Sequence, residues 1–245
     1  MKIIIFGSNG FIGKNLTKKL ITSNEILLVD ICEADSKYSK NVDIQDRGRV
    51  IELIKDFGPQ VIINLAAKTD LEGKSLADYE VNWQGSLNIC AGIERLETKP
   101  LMIHFSSMLV CKMGFTPNNM QEFCPDTIYG ESKVRSEKVL EDFKKDFPLL
   151  ILRPTTVWGE DAGKPYSTFI KIVSKIGWIK LSIFNSQRDF CHIDNLVDLI
   201  ARIINIKDRF SSRYFKKFYI SDEEKQSVND LAFKLSSKYD SYFII

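Results

Sequence analysis

The stretch Gly7-Ser8-Asn9-Gly10-Phe11-Ile12-Gly13 follows the apolar run Ile3–Phe6 and leads into Ile12, Leu16 and Leu20 at helical spacing. A strand, a glycine turn and a helix start thus come in immediate succession. Glycines let the backbone turn sharply and approach a ligand with no Cβ in the way. The helix start adds free N–H groups and the positive end of its dipole. All seven residues, from Gly7 to Gly13, are expected to line a site for a diphosphate.

The same rhythm continues outward from the turn. Apolar runs at Ile26–Val29, Val61–Leu65, Leu101–Phe105 and Leu149–Leu152 read as buried strands. Between them Val50/Leu53/Ile54/Phe57 and Val139/Leu140/Phe143/Phe147 recur at helical spacing, and helices are expected over Leu76–Leu96 and Ser132–Phe147. Gly58-Pro59 and Phe147-Pro148 mark helix ends just before strands. Such alternation predicts an α/β fold, a Rossmann-type doubly wound parallel sheet. After Pro154 the rhythm breaks. A loop over 160–165, helices over Ser167–Ile176, Leu196–Ile204 and Val228–Leu235, and a strand over Lys216–Ile220 suggest a small C-terminal lobe. The expected division is a dinucleotide-binding domain of residues 1–158, to which 188–206 return, and a reduced substrate lobe of 159–187 and 207–245.

Bulk properties exclude several classes. The chain has 245 residues, 44% hydrophobic and 27% charged, with a net charge of +2. That balance, with no block of Lys and Arg, argues against a nucleic-acid partner. No apolar run has transmembrane length, and Met1-Lys2 leads straight into a strand, so neither membrane span nor signal peptide is expected. Cys32, Cys90, Cys111, Cys124 and Cys191 lack metal-type spacing. They read as reduced thiols of a cytoplasmic protein with no metal site.

Two further features carry chemistry. Asp30 ends the second apolar run, where an acid can accept hydrogen bonds from an adenosine ribose and repel a 2′-phosphate. This favours NAD, with NADP as the alternative; a solvated strand-end acid is the other reading of Asp30. Tyr129-Gly130-Glu131-Ser132-Lys133 sets a Tyr and a Lys one helical turn apart, after the fifth strand. The ammonium of Lys133 is expected to pull the Tyr129 pKa down from about 10. Ser106-Ser107 closes the preceding strand and offers a hydroxyl to the same substrate oxygen.

The GxxGxxG spacing resembles that of the short-chain dehydrogenase/reductase superfamily. Asp43-Ile44 sits where that superfamily sets an Asp-apolar pair against adenine, and Leu65-Ala66-Ala67 where it lines the cofactor with small residues. The Ser-x-x-Val pattern ending at Val110 selects Ser107 as the catalytic hydroxyl, beside Tyr129 and Lys133. Asn82 matches the superfamily's supporting helix Asn on the substrate side, or is a solvated side chain. Leu152-Arg153-Pro154-Thr155-Thr156-Val157-Trp158-Gly159 and Arg188-Asp189-Phe190-Cys191-His192-Ile193-Asp194-Asn195 are similar to two elements of the extended branch, the NAD-dependent epimerase/dehydratase family. The resemblance implies that Tyr129, Lys133 and Pro154 also touch the cofactor. It implies that Arg188 meets the diphosphate of a nucleotide-activated sugar, unless it pairs with Asp189 or Asp194.

Within that branch Met108 and Leu109 stand where 4,6-dehydratases carry Asp-Glu, which disfavours dehydration. A keto-sugar reductase or dehydrogenase is the leading expectation, and an NAD-retaining 4-epimerase the alternative. A cofactor-binding regulator without turnover is the third reading, weakened by the joint presence of Ser107, Tyr129 and Lys133. Two departures from the pattern are Val110-Cys111-Lys112 in place of Val-Tyr-Gly and the shortness of 191–245. Relatives of this kind imply a homodimer; the stripe Val139, Phe143, Phe147 could serve it or face the sheet.

Overall fold

The computed structural model describes residues 1–32, 37–163 and 166–244. The expected loop over 160–165 therefore lies partly outside the described residues, at 164 and 165.

The elements run β1 (Lys2–Phe6), α1 (Phe11–Leu20), β2 (Glu25–Asp30), β3 (Ser39–Asn41), α2 (Arg47–Phe57), β4 (Val61–Asn64), α3 (Val81–Glu94), β5 (Leu101–Phe105), α4 (Ile128–Glu141) and β6 (Leu149–Pro154). There follow β7 (Thr156–Trp158), α5 (Tyr166–Lys175), β8 (Trp178–Ile179), β9 (Phe190–His192), α6 (Ile193–Asn205), β10 (Phe215–Ile220), α7 (Val228–Tyr239) and β11 (Phe243–Ile244). Two compact units result, residues 1–154 with 197–219 and residues 155–196 with 220–245.

The first unit holds a seven-stranded sheet in the order β10-β6-β5-β4-β1-β2-β3. β1 through β6 pair in parallel, with Phe6 opposite both Val29 and Asn64, Asn64 opposite His104, and Phe105 opposite Leu152. Both faces are buried, as a parallel sheet requires. Ile4, Phe6, Ile62, Met102 and Ile151 join Val50, Ile54, Ile89, Ile93 and Leu140 from α2, α3 and α4 in one cluster. Ile3, Ile5, Ile63, Ile103 and Leu152 alternate to the other face and are equally buried. The strand order turns back between β1 and β4. At such a switch the flanking connections leave in opposite directions, so a crevice opens at the carboxyl ends of the strands.

Several boundaries differ from expectation. The helix read over Leu76–Leu96 is a short 3-10 turn, Leu76–Tyr79, followed by α3. The turn is held by a capping box between Ser75 and Asp78. Helix α4 begins at Ile128, where the Thr127 hydroxyl accepts from Gly130 N–H at 3.0 Å, and ends at Glu141. Beyond it the backbone tightens into i→i−3 bonds, such as Phe143 N–H to Leu140 and Asp146 N–H to Phe143, which carry Phe147 into the core. Phe143 packs on the same cluster, so these two members of the apolar stripe serve the sheet. Finally, residues 207–219 belong to the first unit, because β10 joins the edge of the large sheet beside β6, whereas 155–158 and 188–196 belong to the second.

The second unit pairs β7 with β9 and β8 with β11, both in parallel. α5 and α7 pack through Phe169, Val173, Ala232 and Leu235, with Trp178 and Phe243 from the β8–β11 pair.

Candidate active site and dinucleotide cavity

Five of the sequence-derived segments follow the carboxyl ends of adjacent strands in the first unit. Gly7 follows β1, Asp30 closes β2, Leu65 follows β4, Ser106 and Ser107 follow β5, and Pro154 closes β6. Parallel pairing alone puts these ends on one edge of the sheet.

The turn after β1 depends on two glycines. Gly7 has φ +78°, and a Cβ there would lie 2.6 Å from the Ala66 nitrogen. A Cβ on Gly13 would lie 2.4 Å from the Gly7 carbonyl oxygen, so α1 rests directly on the turn. Gly7 N–H donates to Val29 O at 2.8 Å, tying the turn to β2. Gly10 caps α1 with no side chain bonded to the helix end. Asp30 is not a loose strand-end acid: its carboxylate accepts from Asn9 N–H at 2.9 Å and from Cys32 N–H at 3.1 Å.

A cavity of about 590 Å³ opens here. Of the cofactor residues read from the sequence, Gly7, Asn9, Gly10, Asp30, Asp43, Ile44, Leu65, Ala66 and Ala67 line it. Ser8, Phe11, Ile12, Gly13, Tyr129, Lys133 and Pro154 do not. Lys68, Asp78 and Val81 line it too and were missed, because they come from the β4–α3 connection and the first residue of α3, which carry no motif.

At the end of β5 the structure brings together Ser107, Tyr129 and Lys133. The Ser107 hydroxyl lies close enough to the Tyr129 phenol to favour its ionised form, and it accepts from Leu109 N–H at 3.1 Å. Ser106 is turned away, its hydroxyl donating to Glu137 at 2.6 Å. Lys133 donates to the Phe105 carbonyl at 2.9 Å, and its Nζ lies 5.9 Å from the centre of the Tyr129 ring. Tyr79 meets that ring edge-on at 6.1 Å.

The electrostatics reverse one expectation. Burial pushes the Tyr129 phenol up to about 12, with the neighbouring Ser107 hydroxyl pulling the other way. Burial also draws the Lys133 ammonium down to about 8, against the opposing pull of the Glu137 carboxylate. The Lys133 charge is bonded to a carbonyl and does not offset the cost of burying a phenolate.

Asn82 is not a solvated side chain. It is 1% exposed, and both amide hydrogens are spent, on Ser132 Oγ at 2.8 Å and the Lys68 carbonyl at 3.1 Å. Its oxygen accepts from Lys68 N–H at 2.9 Å. It braces the cavity wall against α4 and has no donor left for a substrate. Beneath it His104 is fully buried, bonded by Asn64 Nδ2 at 3.2 Å and Ser136 Oγ at 3.1 Å. The amide donates to Nδ1, so Nε2 carries the proton. Burial holds this imidazole well below its usual pKa, hence neutral.

Arg188 lies in the second unit, its backbone paired with Gln226. Among the described residues it forms no ion pair. Asp189 faces Lys225 at 4.0 Å and Asp194 faces His192 at 3.7 Å.

The sequence profile of the NAD dependent epimerase/dehydratase family matches residues 3–214. The chain belongs to that family. An Escherichia coli relative, N-acetyl-alpha-D-glucosaminyl-diphospho-ditrans,octacis-undecaprenol 4-epimerase, is 24% identical over 81% of this chain and 61% of its own length. The dTDP-4-dehydrorhamnose reductase of Aggregatibacter actinomycetemcomitans is 27% identical over 70% of this chain and 56% of its own. The chain thus spans about three-fifths of the length of both. Thermus thermophilus UDP-glucose 4-epimerase, solved with NAD, superposes with a TM-score of 0.78 at 16% identity, covering 100% of this chain and 85% of that one.

The epimerase/dehydratase family uses NAD, and the residues here fit it. The cavity joins a glycine turn, an acid held at the end of β2 and apolar walls from Val42, Ile44 and Val81. No group of His, Cys, Asp and Glu among the described residues is arranged to hold a metal ion. No described helix is long and apolar enough to cross a membrane.

Proposed function

We propose that the chain is an NAD-dependent oxidoreductase acting on a nucleotide-activated sugar, with reduction of a keto-sugar or its reverse as the reaction. The observation that carries this reading is Tyr129, a buried phenol kept protonated beside the buried Ser107 hydroxyl. Such a phenol is set to give its proton to a ketone oxygen as hydride reaches the carbon. Ser107 hydrogen-bonds the same oxygen and shares the developing negative charge. Lys133, one turn along α4, holds the nicotinamide ribose and offers a positive charge behind Tyr129. NAD, when bound, supplies or accepts the hydride.

The backbone N–H groups of the first turn of α1, from Phe11 to Gly13, receive the cofactor diphosphate. Asp30 accepts from the adenosine ribose, which favours NAD over NADP, while Asp43 and Ile44 flank the adenine. Leu65, Ala66, Ala67 and Pro154 complete the cofactor contacts. Arg188, whose guanidinium has no ion-pair partner among the described residues, takes the substrate diphosphate in bidentate fashion. A cytoplasmic homodimer is the proposed form.

The E. coli relative's name supports a second reading, a 4-epimerase that oxidises and re-reduces one sugar on retained NAD. One experiment separates the two. Purified protein is incubated with NADH or NAD and a panel of sugar nucleotides and keto-sugar nucleotides, following both cofactor absorbance and sugar products. A reductase consumes NADH in step with product; an epimerase forms product with no net change in cofactor. Tight NAD binding with no product across the panel would contradict both and leave the regulator reading. In the same assay Asp30→Ser should lower NAD affinity about tenfold and raise that for NADP, a shift of about 1.4 kcal/mol.

A further inference from the structure

Three successive turns of α4 meet the end of β5. Tyr129 lies beside Ser107, Lys133 bonds the Phe105 carbonyl, and Glu137 accepts from the Ser106 hydroxyl. The proposed chemistry uses the first two contacts and not the third. Yet Glu137 is fully buried, as is Arg153, which holds it through two hydrogen bonds at 2.7 and 2.8 Å. Lys217 from β10 adds a third contact at 2.9 Å. Arg153 is fixed in turn by the Met120 carbonyl at 2.8 Å and the Tyr219 hydroxyl at 3.1 Å. A buried carboxylate costs several kcal/mol unless fully paired, and this one is paired by groups from three neighbouring strands.

We propose that Glu137 is a positioning residue for the active site. It latches β5 to α4 through Ser106, so that Ser107 and Lys133 stay in register with Tyr129, and it sets a fixed negative charge one turn from Lys133. The inference rests on the proposed reaction for its purpose, but not for its test.

The charge balance around the latch makes it an electrostatic device as well as a mechanical one. Burial alone would push the Glu137 carboxyl up; Arg153, Lys217 and Ser106 together hold it below its usual value, hence ionised. Facing Lys133 are Glu137 and Tyr129 from its own helix, with His104 and the Phe105 carbonyl from β5. His104 is neutral and Tyr129 protonated, so Glu137 is the anion in this set. Facing Glu137 are Ser106 from β5, Arg153 from β6 and Lys217 from β10, and Lys217 also pairs with Glu141 of α4.

The test follows Lys133 directly, by NMR of isotope-labelled lysine side chains in the protein without sugar nucleotide. The resonance is assigned by its loss in Lys133→Met. In Glu137→Gln/Lys217→Met, which removes one charge of each sign, the Lys133 midpoint should fall by about one pH unit or more, a tenfold loss of proton affinity. Glu137→Asp, which keeps the charge, should restore most of it. An unchanged midpoint in the folded double variant would overturn the electrostatic role. Ser106→Ala is the second arm and leaves every charge in place. Its Ser106 and Ser107 amides should exchange about tenfold faster than in the unaltered chain while β1 and β4 stay protected. Unchanged exchange there would overturn the latch, whether or not the double variant folds. Neither readout needs turnover, so a failed sugar-nucleotide panel would leave this result standing.

Discussion

The glycine turn and the α4–β5 seam end strands of one sheet, and they are built in opposite ways. At the turn, side chains are missing where a ligand must come close: Gly7 touches the Ala66 backbone, Gly13 rests on Gly7, and a cavity of about 590 Å³ stays open beside them. At the seam, polar side chains are packed away and given partners. Ser106, Asn82, His104, Glu137 and Lys133 are all buried and hydrogen-bonded. Recognition of a diphosphate needs room and backbone donors; proton transfer needs a few groups that cannot move. Burial serves the second purpose by fixing protonation states, keeping Tyr129 a phenol and His104 neutral.

The contrast implies that damage on the two sides should read out differently. The largest effect is expected from Lys133→Met at the seam. Turnover should fall by about 100-fold or more while the fold is kept, as seen in a cofactor-linked assay beside a melting curve. Gly7→Ala should act on the other side. A Cβ at a positive φ and against Ala66 costs about 1–3 kcal/mol, and NAD affinity by calorimetry should drop at least tenfold. Equal NAD affinity in Gly7→Ala would break the idea that the turn needs an absent side chain.

The smallest effect concerns pH. The folded chain keeps His104 neutral well below the ordinary pKa of about 6.5, whereas the unfolded chain takes up a proton there. The unfolded state then binds more protons, so stability falls as pH drops from about 7 to 5, by at most about 1.4 kcal/mol per unit. Denaturant unfolding of His104→Gln should lack this part of the slope. An identical slope would show that His104 is not the group responsible.

The same contrast explains what was legible in the sequence. The glycine turn, Asp30 and the Tyr129–Lys133 pair are local patterns, and β1, β4, β5 and β6 are apolar runs that a buried parallel strand needs on both faces. Ser107 was separable from Ser106 only through the family's Ser-x-x-Val pattern; the structure shows the physical reason, since Ser106 is committed to Glu137. Glu137 itself carried no signal, because its partners Arg153 and Lys217 are distant in the chain. Strands β3, β7, β8, β9 and β11 are two or three residues of non-local pairing, invisible to periodicity. The reversed Tyr129 shift has the same origin: spacing places a lysine one turn away but says nothing of what the lysine is bonded to, or of how deeply the phenol is buried.

The central claim is that the turn binds the dinucleotide while the seam performs the proton transfer. Tyr129→Phe, which removes one buried hydroxyl and touches nothing in the cavity, tests it most directly. NAD affinity and sugar-nucleotide turnover are measured on the same preparation. NAD affinity should stay within about threefold of the unaltered chain, while turnover falls by a factor of roughly 100 to 10,000. Turnover at the original rate, or turnover lost only because NAD no longer binds, would contradict the account.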